Sequence, residues 1–432
     1  MPRVSGVPRV SSNANELDRR SLQDILHEVV ETLAPLDRTP CSPGERQAAE
    51  WLAERLRAID GVRVALEDEP SWGIFPPTAT GLGLLGAFGA ALVLSGRRAS
   101  GALLAAATLA GIVDEAQNGP RILRRFVRRR RTTVNVIART GEEDASVEEG
   151  EREEQAGARP EGCGTLVVLA HHDAPQTGML FDQTLQRRLH ELAPRLLARA
   201  KKPPPQWWIG LAGPLSTIGG ALVNRRRRRL AGAGLALGVL GAALVADVWR
   251  SQTVPGANDN LSGVAALVAL AELLRERPVP GMRVLLVSCG AEETLQDGVR
   301  AFIARHRHEL DPERTWFVNL DTVGSPHLIM LEGEGPVWME DYSGPSLRDL
   351  VAVQAQLLDI DLERGFRARS STDSVIPSRA GYPIATLLSV TDWHSPANYH
   401  LPSDIPANLD YATVADATRL VHGLARALVN RS

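Results

Sequence analysis

The sequence predicts an α/β fold, in which a mixed, largely parallel central sheet is sandwiched by helices and carries two inserted transmembrane helical hairpins. Short apolar runs of strand composition alternate with helical patterns, as in folds whose sheet is covered on both faces. Two long apolar stretches interrupt this alternation, and carboxylates or histidines stand where several strands end. A chain of 432 residues can fill one large domain. We therefore expect residues 1–432 to form a single domain.

The regular elements follow from hydrophobic periodicity taken in chain order. The first part of the chain contains two amphipathic helical patterns, at residues 16–34 and 44–59, and then a strand, "RVALEDE". The runs "TTVNVIART" and "GTLVVLAHHD" are expected to pair as neighbouring strands. Three further strands follow: "MRVLLVSCG", "TWFVNLDTVG" and "YPIATLLSV". Helical patterns lie between and after them, near residues 260–277, 297–307, 345–358 and 411–430.

Charge is segregated along a chain whose net charge is only −3. Residues 120–131 hold seven arginines, whereas residues 141–162 form an acidic, low-complexity stretch that we expect to be a disordered loop. The slightly negative total argues against a nucleic-acid partner. Three scattered cysteines give no disulfide framework. The first twenty residues lack the apolar segment of a signal peptide.

The two apolar stretches are residues 78–114 and residues 206–247. Each contains two apolar segments around a short arginine-bearing turn, and the segments approach the ~20 residues that a membrane-spanning helix needs. Their glycine and alanine content suits close helix packing in lipid, and Trp207 and Trp208 stand where an interfacial aromatic anchor would. The alternative is a pair of buried helical hairpins in a soluble protein. Because arginines flank the segments and almost never interrupt one, we expect membrane insertion.

Five short motifs place candidate metal ligands near strand ends or helix starts. In chain order they are "AHHDA" with His171 and Asp173, "NDNLSG" with Asp259, "AEET" with Glu292 and Glu293, "NLD" with Asp321, and "NYHLPSD" with Tyr399, His400 and Asp404. Strand-end side chains of an α/β sheet converge at the edge where ligands normally bind. The motifs therefore predict one shared site.

Each motif also has a simpler explanation when it is taken alone. A single histidine at a strand end is more often structural, Asp259 would suit a helix N-cap, and Glu292 with Glu293 would suit a solvated charged turn. His172 is expected to be structural, because adjacent strand residues point to opposite faces. The H-x-D pair, by contrast, supplies an imidazole together with the carboxylate that orients it.

Together the motifs resemble those of the dinuclear zinc aminopeptidases of clan MH, which include the bacterial leucyl aminopeptidases and aminopeptidase Y. The family pattern of H-x-D, D-N-x-S-G, E-E, N-x-D and Y-H-x-P-S-D is met in order. The resemblance covers most of the chain outside the apolar stretches and the amino-terminal tail. It implies a zinc exopeptidase fold, one zinc peptidase domain over residues 1–432, peptide substrates and two Zn²⁺ ions per chain.

The resemblance also implies how the metals are held. One zinc would take His171 and Asp321, the other would take Glu293 and His400, and Asp259 would bridge both. The family often has a cis peptide bond after the bridging aspartate. These residue types suit the chemistry, since zinc accepts imidazole nitrogen and carboxylate oxygen and paired metals share a bridging ligand.

Three further residues have catalytic roles implied by the resemblance: Glu292, Tyr399 and Asp173. Glu292 would be the general base, which takes a proton from a water that bridges the metals and passes it to the leaving amine. Tyr399 would donate a hydrogen bond to the tetrahedral oxyanion. Asp173 would orient the imidazole of His171.

Two departures from the family pattern concern specificity more than metal binding. The second apolar stretch lies between the H-x-D motif and Asp259, where the family usually has a short loop. In "RSSTDSVIP", Ser374 stands where a histidine is common. We predict a membrane-embedded zinc aminopeptidase that hydrolyses the N-terminal peptide bond. Two alternatives stay open: a glutaminyl-cyclase-like acyltransferase with one zinc, and a catalytically silent membrane scaffold with the peptidase fold.

The orientation in the membrane follows from the basic residues. Twelve lysines and arginines flank the apolar segments on the side of the catalytic motifs, against seven in the two opposite turns. Basic residues near membrane segments favour the cytoplasm. We therefore expect a multi-pass protein of the inner membrane with a cytoplasmic active site and the lipid bilayer as a partner, and the sequence leaves the oligomeric state open.

Overall fold

The computed structural model describes residues 12–140, 164–192 and 208–429. The predicted acidic loop at 141–162 and Trp207 lie outside these residues. So do four of the basic residues counted on the catalytic side, Arg195, Arg199, Lys201 and Lys202.

Within these ranges, nine strands form one mixed sheet. They are β1 (Arg63–Ser71), β2 (Arg131–Thr140), β3 (Gly164–His171), β4 (Met282–Cys289), β5 (Thr315–Leu320), β6 (His327–Glu334), β7 (Glu340–Asp341), β8 (Glu363–Ala368) and β9 (Ile384–Val390). Their order across the sheet is β1-β2-β4-β3-β5-β9-β6-β7, and β8 pairs with β6. The central strands β4, β3, β5 and β9 run parallel. The predicted mixed, largely parallel sheet is confirmed.

The predicted pairing of the strands at 132–140 and 164–173 is wrong, because β4 lies between them. β2 pairs with β4 in an antiparallel register in which Ile137 faces Val287, and β3 pairs with β4 in a parallel register in which Leu169 faces Val287. Every residue of β3 is buried, as expected for a strand with a neighbour on each side and a helical layer on each face. Apolar periodicity identifies such a strand but does not give its neighbours.

Helices cover both faces of the sheet. In chain order the described helices of five or more residues with regular α geometry are α1 (Ser12–Leu33), α2 (Pro43–Arg57), α3 (Pro76–Leu94), α4 (Arg98–Ala116), α5 (Ile122–Val127), α6 (Thr184–Leu192), α7 (Trp208–Leu222), α8 (Arg227–Arg250), α9 (Ser262–Glu276), α10 (Asp297–His306), α11 (Pro345–Leu357), α12 (Val375–Arg379) and α13 (Tyr411–Leu428). One core layer joins α1, α2, α9, α11 and α13 to the sheet. The other joins α10 and α12 to its opposite face.

Local sequence signals position these helices. α2 begins after Ser42, whose hydroxyl accepts the backbone amide of Glu45 at 3.1 Å, and Pro43 takes the first helical position. Its apolar stripe, which includes Leu52, is fully buried. Each such side chain contributes about 1.5–3 kcal/mol by leaving water, so the stripe fixes the helix against the sheet.

The two inserted stretches form four helices, α3, α4, α7 and α8, which pack against one another through glycines. A Cβ atom added to Gly101 would lie 2.5 Å from the carbonyl oxygen of Gly89, and one added to Gly238 would lie 3.0 Å from the amide nitrogen of Ala87. Backbones approach this closely only where side chains are minimal. The outer face of the bundle is apolar, with Phe88 58% exposed.

Three of these helices, α3, α4 and α8, are long and apolar enough to cross a membrane by length and composition. The fourth, α7, has 15 residues and contains Pro214. The structure therefore supports possible membrane association, and the two complete transmembrane hairpins stay a prediction.

Candidate metal centre

The five motifs meet at the carboxyl ends of the central strands. His171 is the last residue of β3, Glu292 and Glu293 lie in a turn after β4, and Asp321 directly follows β5. Asp259 and His400 enter from loops, and all six of these side chains are at least largely buried. The parallel register brings these strand ends together, so the sheet assembles residues that are far apart in sequence.

Asp259 lies between two imidazoles. Its Oδ1 is 3.3 Å from Nε2 of His171, and its Oδ2 is 3.2 Å from Nε2 of His400. The same nitrogen of His400 is 3.5 Å from Oε1 of Glu293. The peptide bond between Asp259 and Asn260 is cis, as the resemblance implied. Asp259 thus faces both halves of the site at once.

The suggestion that Asp259 merely caps a helix does not fit this geometry. Asn260, and not Asp259, bonds to the nearby backbone, because its Oδ1 accepts the backbone amides of Gly263 at 3.1 Å and Thr322 at 3.1 Å. The carboxylate of Asp259 is left pointing at the histidines.

The ligand atoms form overlapping groups. His171, Asp259 and Asp321 form one, and Asp259, Glu293 and His400 form another, with the atoms of each group within 4.8 Å of one another. His171 also forms a group with Glu292 and Glu293. The first two groups share Asp259 and match the two ligand sets that the resemblance implied.

Asp173 positions the turn of Glu292 and Glu293 and the ring of His171. Its two carboxylate oxygens accept the backbone amides of Glu292 and Glu293, each at 3.0 Å. Its Oδ1 also lies 3.4 Å from Nδ1 of His171. This fully buried carboxylate therefore positions the turn of the adjacent glutamates and one imidazole together. The paired carboxylates at the end of β4 belong to a buried site and not to a solvated turn.

Asp404 positions the backbone of Asp259 in the same way, by accepting two backbone amides. Its Oδ1 accepts the backbone amide of Asn258 at 2.7 Å, and its Oδ2 accepts that of Asp259 at 3.1 Å. Burial raises the pKa of Asp404 to about 7. The sequence motif included this residue without giving it a role.

Arg38 is a buried cation near the site that sequence reasoning missed. Its guanidinium donates to the carbonyl oxygens of His172 at 2.9 Å and Pro255 at 2.6 Å, which ties the H-x-D strand end to the loop before Asp259. Burial lowers its pKa to about 10, although Asp404 and Asp173 oppose this. The side chain stays positive at neutral pH and offsets part of the negative charge of the site. No local pattern in "APLDRTP" marks it.

The turn after β4 is also anchored to the segment that follows the first inserted stretch. Arg121 donates to Oδ1 of Asp297 at 2.6 Å and to the carbonyl oxygen of Thr294 at 3.0 Å. Arg124 donates to the same carbonyl oxygen and forms a buried ion pair with Glu115 at the end of α4. The helix that leaves the bundle is thereby joined to the turn that carries Glu292 and Glu293.

The charges of the site shift several pKa values. Burial raises the pKa of Glu292 well above its usual range, and nearby carboxylates add to the shift. Burial likewise raises the pKa of Asp321 to about 6. For Asp259, burial is outweighed by the adjacent imidazoles of His171 and His400, so its pKa lies below its ordinary value. The site concentrates more acidic groups than its own basic groups neutralise.

A divalent cation fits this arrangement. Among the described residues, Oδ2 of Asp259 and both ring nitrogens of His400 have no hydrogen-bond partner, although buried polar atoms normally have one. Buried charges are usually paired or coordinate a metal, and a mixed set of imidazoles and carboxylates suits zinc. The donor set therefore fits a zinc site by its chemistry as well as by its position.

Three other residues lie around the cluster. The ring of Tyr399 is centred 4.1 Å from that of His400, and burial and the nearby carboxylates raise its pKa, so its hydroxyl stays protonated. Asp373 is buried, has no hydrogen-bond partner for its carboxylate among the described residues, and has a pKa raised by burial to about 7. His172 is turned away toward Ser288, with Nδ1 2.9 Å from Oγ, as expected for a structural residue.

Residues 245–425 match the family model of peptidase family M28. This match covers less than half of the chain and agrees with the resemblance that the motifs predicted, while membership of the family, the subfamily and a membrane-inserted form stay predictions. The M28 segment contains Asp259, Glu293, Asp321 and His400, whereas His171 lies outside it and is brought to the site by β3. None of the curated proteins compared with the chain matches it.

Solved structures share the fold. The chain is similar to the LapA aminopeptidase of Legionella pneumophila, with 8% identity, a TM-score of 0.51, and coverage of 98% of this chain and 77% of that one. It is similar to an aminopeptidase from Aneurinibacillus sp. strain AM-1, with 15% identity, a TM-score of 0.51, and coverage of 93% and 92%. A glutaminyl cyclase from Fimbriiglobus ruber shows 16% identity, a TM-score of 0.49, and coverage of 94% of each chain. At these identities the similarity to the two aminopeptidase structures shows the fold alone.

Proposed function

We propose that this protein is a zinc-dependent aminopeptidase that uses two zinc ions and takes Glu292 as its general base. The observation that carries the proposal is the position of Asp259, which faces His171 with one carboxylate oxygen and His400 with the other. A carboxylate shared by two ligand groups is what a pair of catalytic metals requires.

Two overlapping groups of residues would hold the metals. His171, Asp259 and Asp321 would hold one zinc, and Asp259, Glu293 and His400 would hold the other. When bound, the zinc ions supply Lewis acidity toward the scissile carbonyl and the attacking water.

Glu292 is placed to move the proton. It lies beside His171 and Glu293 in the same cluster, and Nε2 of Gln296 donates to its Oε1 at 2.5 Å, which fixes its orientation. Its raised pKa suits a base that takes a proton from water and then gives it to the leaving amine. The protonated hydroxyl of Tyr399 donates to the oxyanion.

Two matched substitutions test the proposal on purified full-length protein. Glu292→Gln should retain both zinc ions while hydrolysis of unblocked peptides falls by ~10²-fold or more. Glu293→Gln removes an anionic ligand, so its zinc content should fall. Equal metal content in the two variants, or near-normal turnover by Glu292→Gln, would contradict these roles.

The substrate panel separates the alternatives. Unblocked peptides should be cleaved and N-acetylated peptides should not. If the protein bound one zinc per chain and cyclised peptides that begin with glutamine, it would be a cyclase and not an aminopeptidase. Bound zinc without turnover of any peptide would support a silent scaffold.

We also propose that the four inserted helices span the inner membrane, with the active site in the cytoplasm. Three of them have the necessary length and composition. α5 supports this placement, because Phe126 is 90% exposed and Ile122 is 69% exposed next to a run of arginines that suits lipid headgroups. Arg121 and Arg124 are buried in ion pairs. Removing these two from the twelve basic residues on the catalytic side leaves ten, against seven in the opposite turns.

Cysteine labelling with an impermeant reagent in intact cells tests the orientation. One probe is placed within residues 142–154 and the other beside Arg98. Labelling beside Arg98 with protection of the acidic segment is the expected result. The reverse pattern would place the active site outside the cytoplasm.

A further inference from the structure

The helix α6 presents an apolar stripe to the surface of the protein. Leu185, Leu189 and Leu192 follow one another at spacings of four and three residues, so they lie on one side of the helix. Their side chains are 69%, 46% and 83% exposed. A surface helix of a globular protein normally turns such a stripe toward the core, so the arrangement of α6 is reversed. We call these three residues the leucine stripe.

The opposite side of α6 contacts the loop of residues 391–400. The guanidinium of Arg187 lies over the ring of Trp393, 5.4 Å from its centre, and the ring of His190 is centred 6.4 Å from the same ring. At about 3.6 residues per turn, Arg187 and His190 lie on the side of the helix opposite the leucine stripe. The polar side of the helix therefore faces the protein.

The segment just before α6 contacts the same loop. Nε2 of Gln183 donates to the carbonyl oxygen of Pro396 at 3.0 Å. The ring of Phe181 is centred 4.1 Å from that of His400, which is one of the proposed zinc ligands. The loop that leads to the metal centre thus lies on one side of α6, and the leucine stripe lies on the other.

The segment before α6 is also fixed to one end of the helical bundle. Oδ2 of Asp247, in the last turn of α8, accepts the backbone amide of Met179 at 2.7 Å. A Cβ atom added to Gly178 would lie 2.7 Å from Cγ2 of Val248, so the two segments are in close contact. Met179 itself is 71% exposed. Since α6 begins a few residues later, it lies beside this end of the bundle.

Two tryptophans occupy the same end of the bundle. Trp208 is the first residue of α7, and Trp249 lies in the last turn of α8; their side chains are 53% and 44% exposed. α7 and α8 form an antiparallel hairpin, so both tryptophans lie at the end that adjoins α6. Tryptophan is enriched where a membrane protein meets the headgroups. These residues place α6 at the level of the membrane surface.

We propose that α6 lies in the headgroup region of the bilayer, with the leucine stripe inserted among the lipid chains and the loop of residues 391–400 on its opposite side. Amphipathic helices with basic residues beside an apolar face bind membranes in this way, and α6 carries Arg187 and Arg188. The stripe gains free energy by leaving water. This inference rests on the proposed membrane placement of the bundle and adds a lipid contact that the placement itself does not require.

A fluorescent label on a single cysteine tests the inference with the full chain in phospholipid vesicles. Cys41 and Cys163 are first replaced by serine, and the buried Cys289 is kept. An environment-sensitive label is attached at Leu189→Cys. The vesicles contain a lipid with a nitroxide quencher, placed either near the headgroup or near the end of the acyl chain. The emission should shift to shorter wavelength than that of a label in water, and the shallow nitroxide should quench it more than the deep one.

Two other positions provide matched controls. Glu191 is an exposed residue of α6 outside the leucine stripe, so a label at Glu191→Cys should emit as in water and escape quenching. Phe88 lies on the outer face of α3, so a label at Phe88→Cys should be quenched more by the deep nitroxide if the bundle spans the bilayer. A thermal unfolding transition verifies that each labelled chain is folded.

The outcomes separate this inference from the proposed placement of the bundle. If the label at Phe88→Cys is quenched and the label at Leu189→Cys is not, the bundle spans the bilayer and this inference is wrong. If the reverse is found, α6 binds the membrane surface and the spanning bundle is wrong. If neither label is quenched, both proposals are wrong. A shorter emission wavelength at Leu189→Cys without quenching would show that protein, such as a second copy of the chain, covers the leucine stripe, and it would overturn the inference.

Discussion

Replacing Asp173 by asparagine should weaken zinc binding by about 10- to 100-fold, although Asp173 is not expected to touch the metal. In the native protein its two oxygens accept the amides of Glu292 and Glu293, each at 3.0 Å. Asparagine keeps one oxygen and turns the other acceptor into a donor that faces an N–H group. One hydrogen bond to a charged acceptor is then lost in a fully buried place.

The size of the effect follows from that single bond. A hydrogen bond to a charged group contributes about 1.5–3 kcal/mol, and about 1.4 kcal/mol corresponds to a factor of ten in affinity. The loss falls on the backbone that positions Glu293, so it should be measured as a weaker zinc affinity. A competition titration of the purified full chain against a chromophoric zinc chelator at constant pH measures it.

Asp311→Asn is the matched control. Oδ1 of Asp311 also accepts a backbone amide, that of Glu313 at 3.0 Å, but it lies in an exposed loop that precedes β5, at the opposite end of the strand from Asp321. This variant should bind zinc like the unchanged protein. If Asp173→Asn also kept the native affinity, the outer carboxylate would not position the metal ligands, and the reasoning would be refuted.

Three further predictions follow from buried groups. Asp259→Asn should lower the occupancy of both metals, and metal analysis that finds two zinc ions and full activity would restore a merely local role for this residue. Arg124→Ala leaves Glu115 buried without its ion-pair partner, so thermal unfolding should show a loss of about 3–5 kcal/mol in stability, and an unchanged melting temperature would contradict this. Burial raises the pKa of Glu334 from 4.5 to about 8, so the folded chain holds this proton more tightly than the unfolded chain. The associated stability is complete below about pH 4.5 and is lost as the pH rises toward about 8. Glu334→Gln should therefore raise the melting temperature more at pH 8 than at pH 5, and an equal effect at both values would refute the assignment.

The sequence indicated which residues meet in one place better than it indicated what surrounds them. The strand-end motifs were readable because a parallel sheet places every carboxyl end at one edge, whatever the strand order. The order itself was not readable, since β2 and β3 are both apolar runs, and the wrong pairing followed. The separation between His171 and Asp259 along the chain did not matter to the geometry, because the segment before α9 brings Asp259 to the end of β3.

The residues that sequence reasoning missed act on the site through hydrogen bonds that depend on the folded backbone. Arg38 binds the carbonyl oxygens of His172 and Pro255, and carbonyl oxygens carry no sequence signature. Gln296 acts on Glu292 only because a turn brings its side chain back over the preceding residues. Such partners become visible only when the backbone path is known.

The attachment of Arg121 and Arg124 to the turn after β4 bears on how the protein is handled in the laboratory. Deleting residues 78–114 to obtain a water-soluble fragment would remove most of α4, the helix that positions Glu115 for its buried ion pair with Arg124. The carbonyl oxygen of Thr294 depends on donors from the same region. Helix α4 thus helps to hold Arg124 against the turn that carries Glu292 and Glu293, and a truncated chain would lose that support along with its hydrophobic surface.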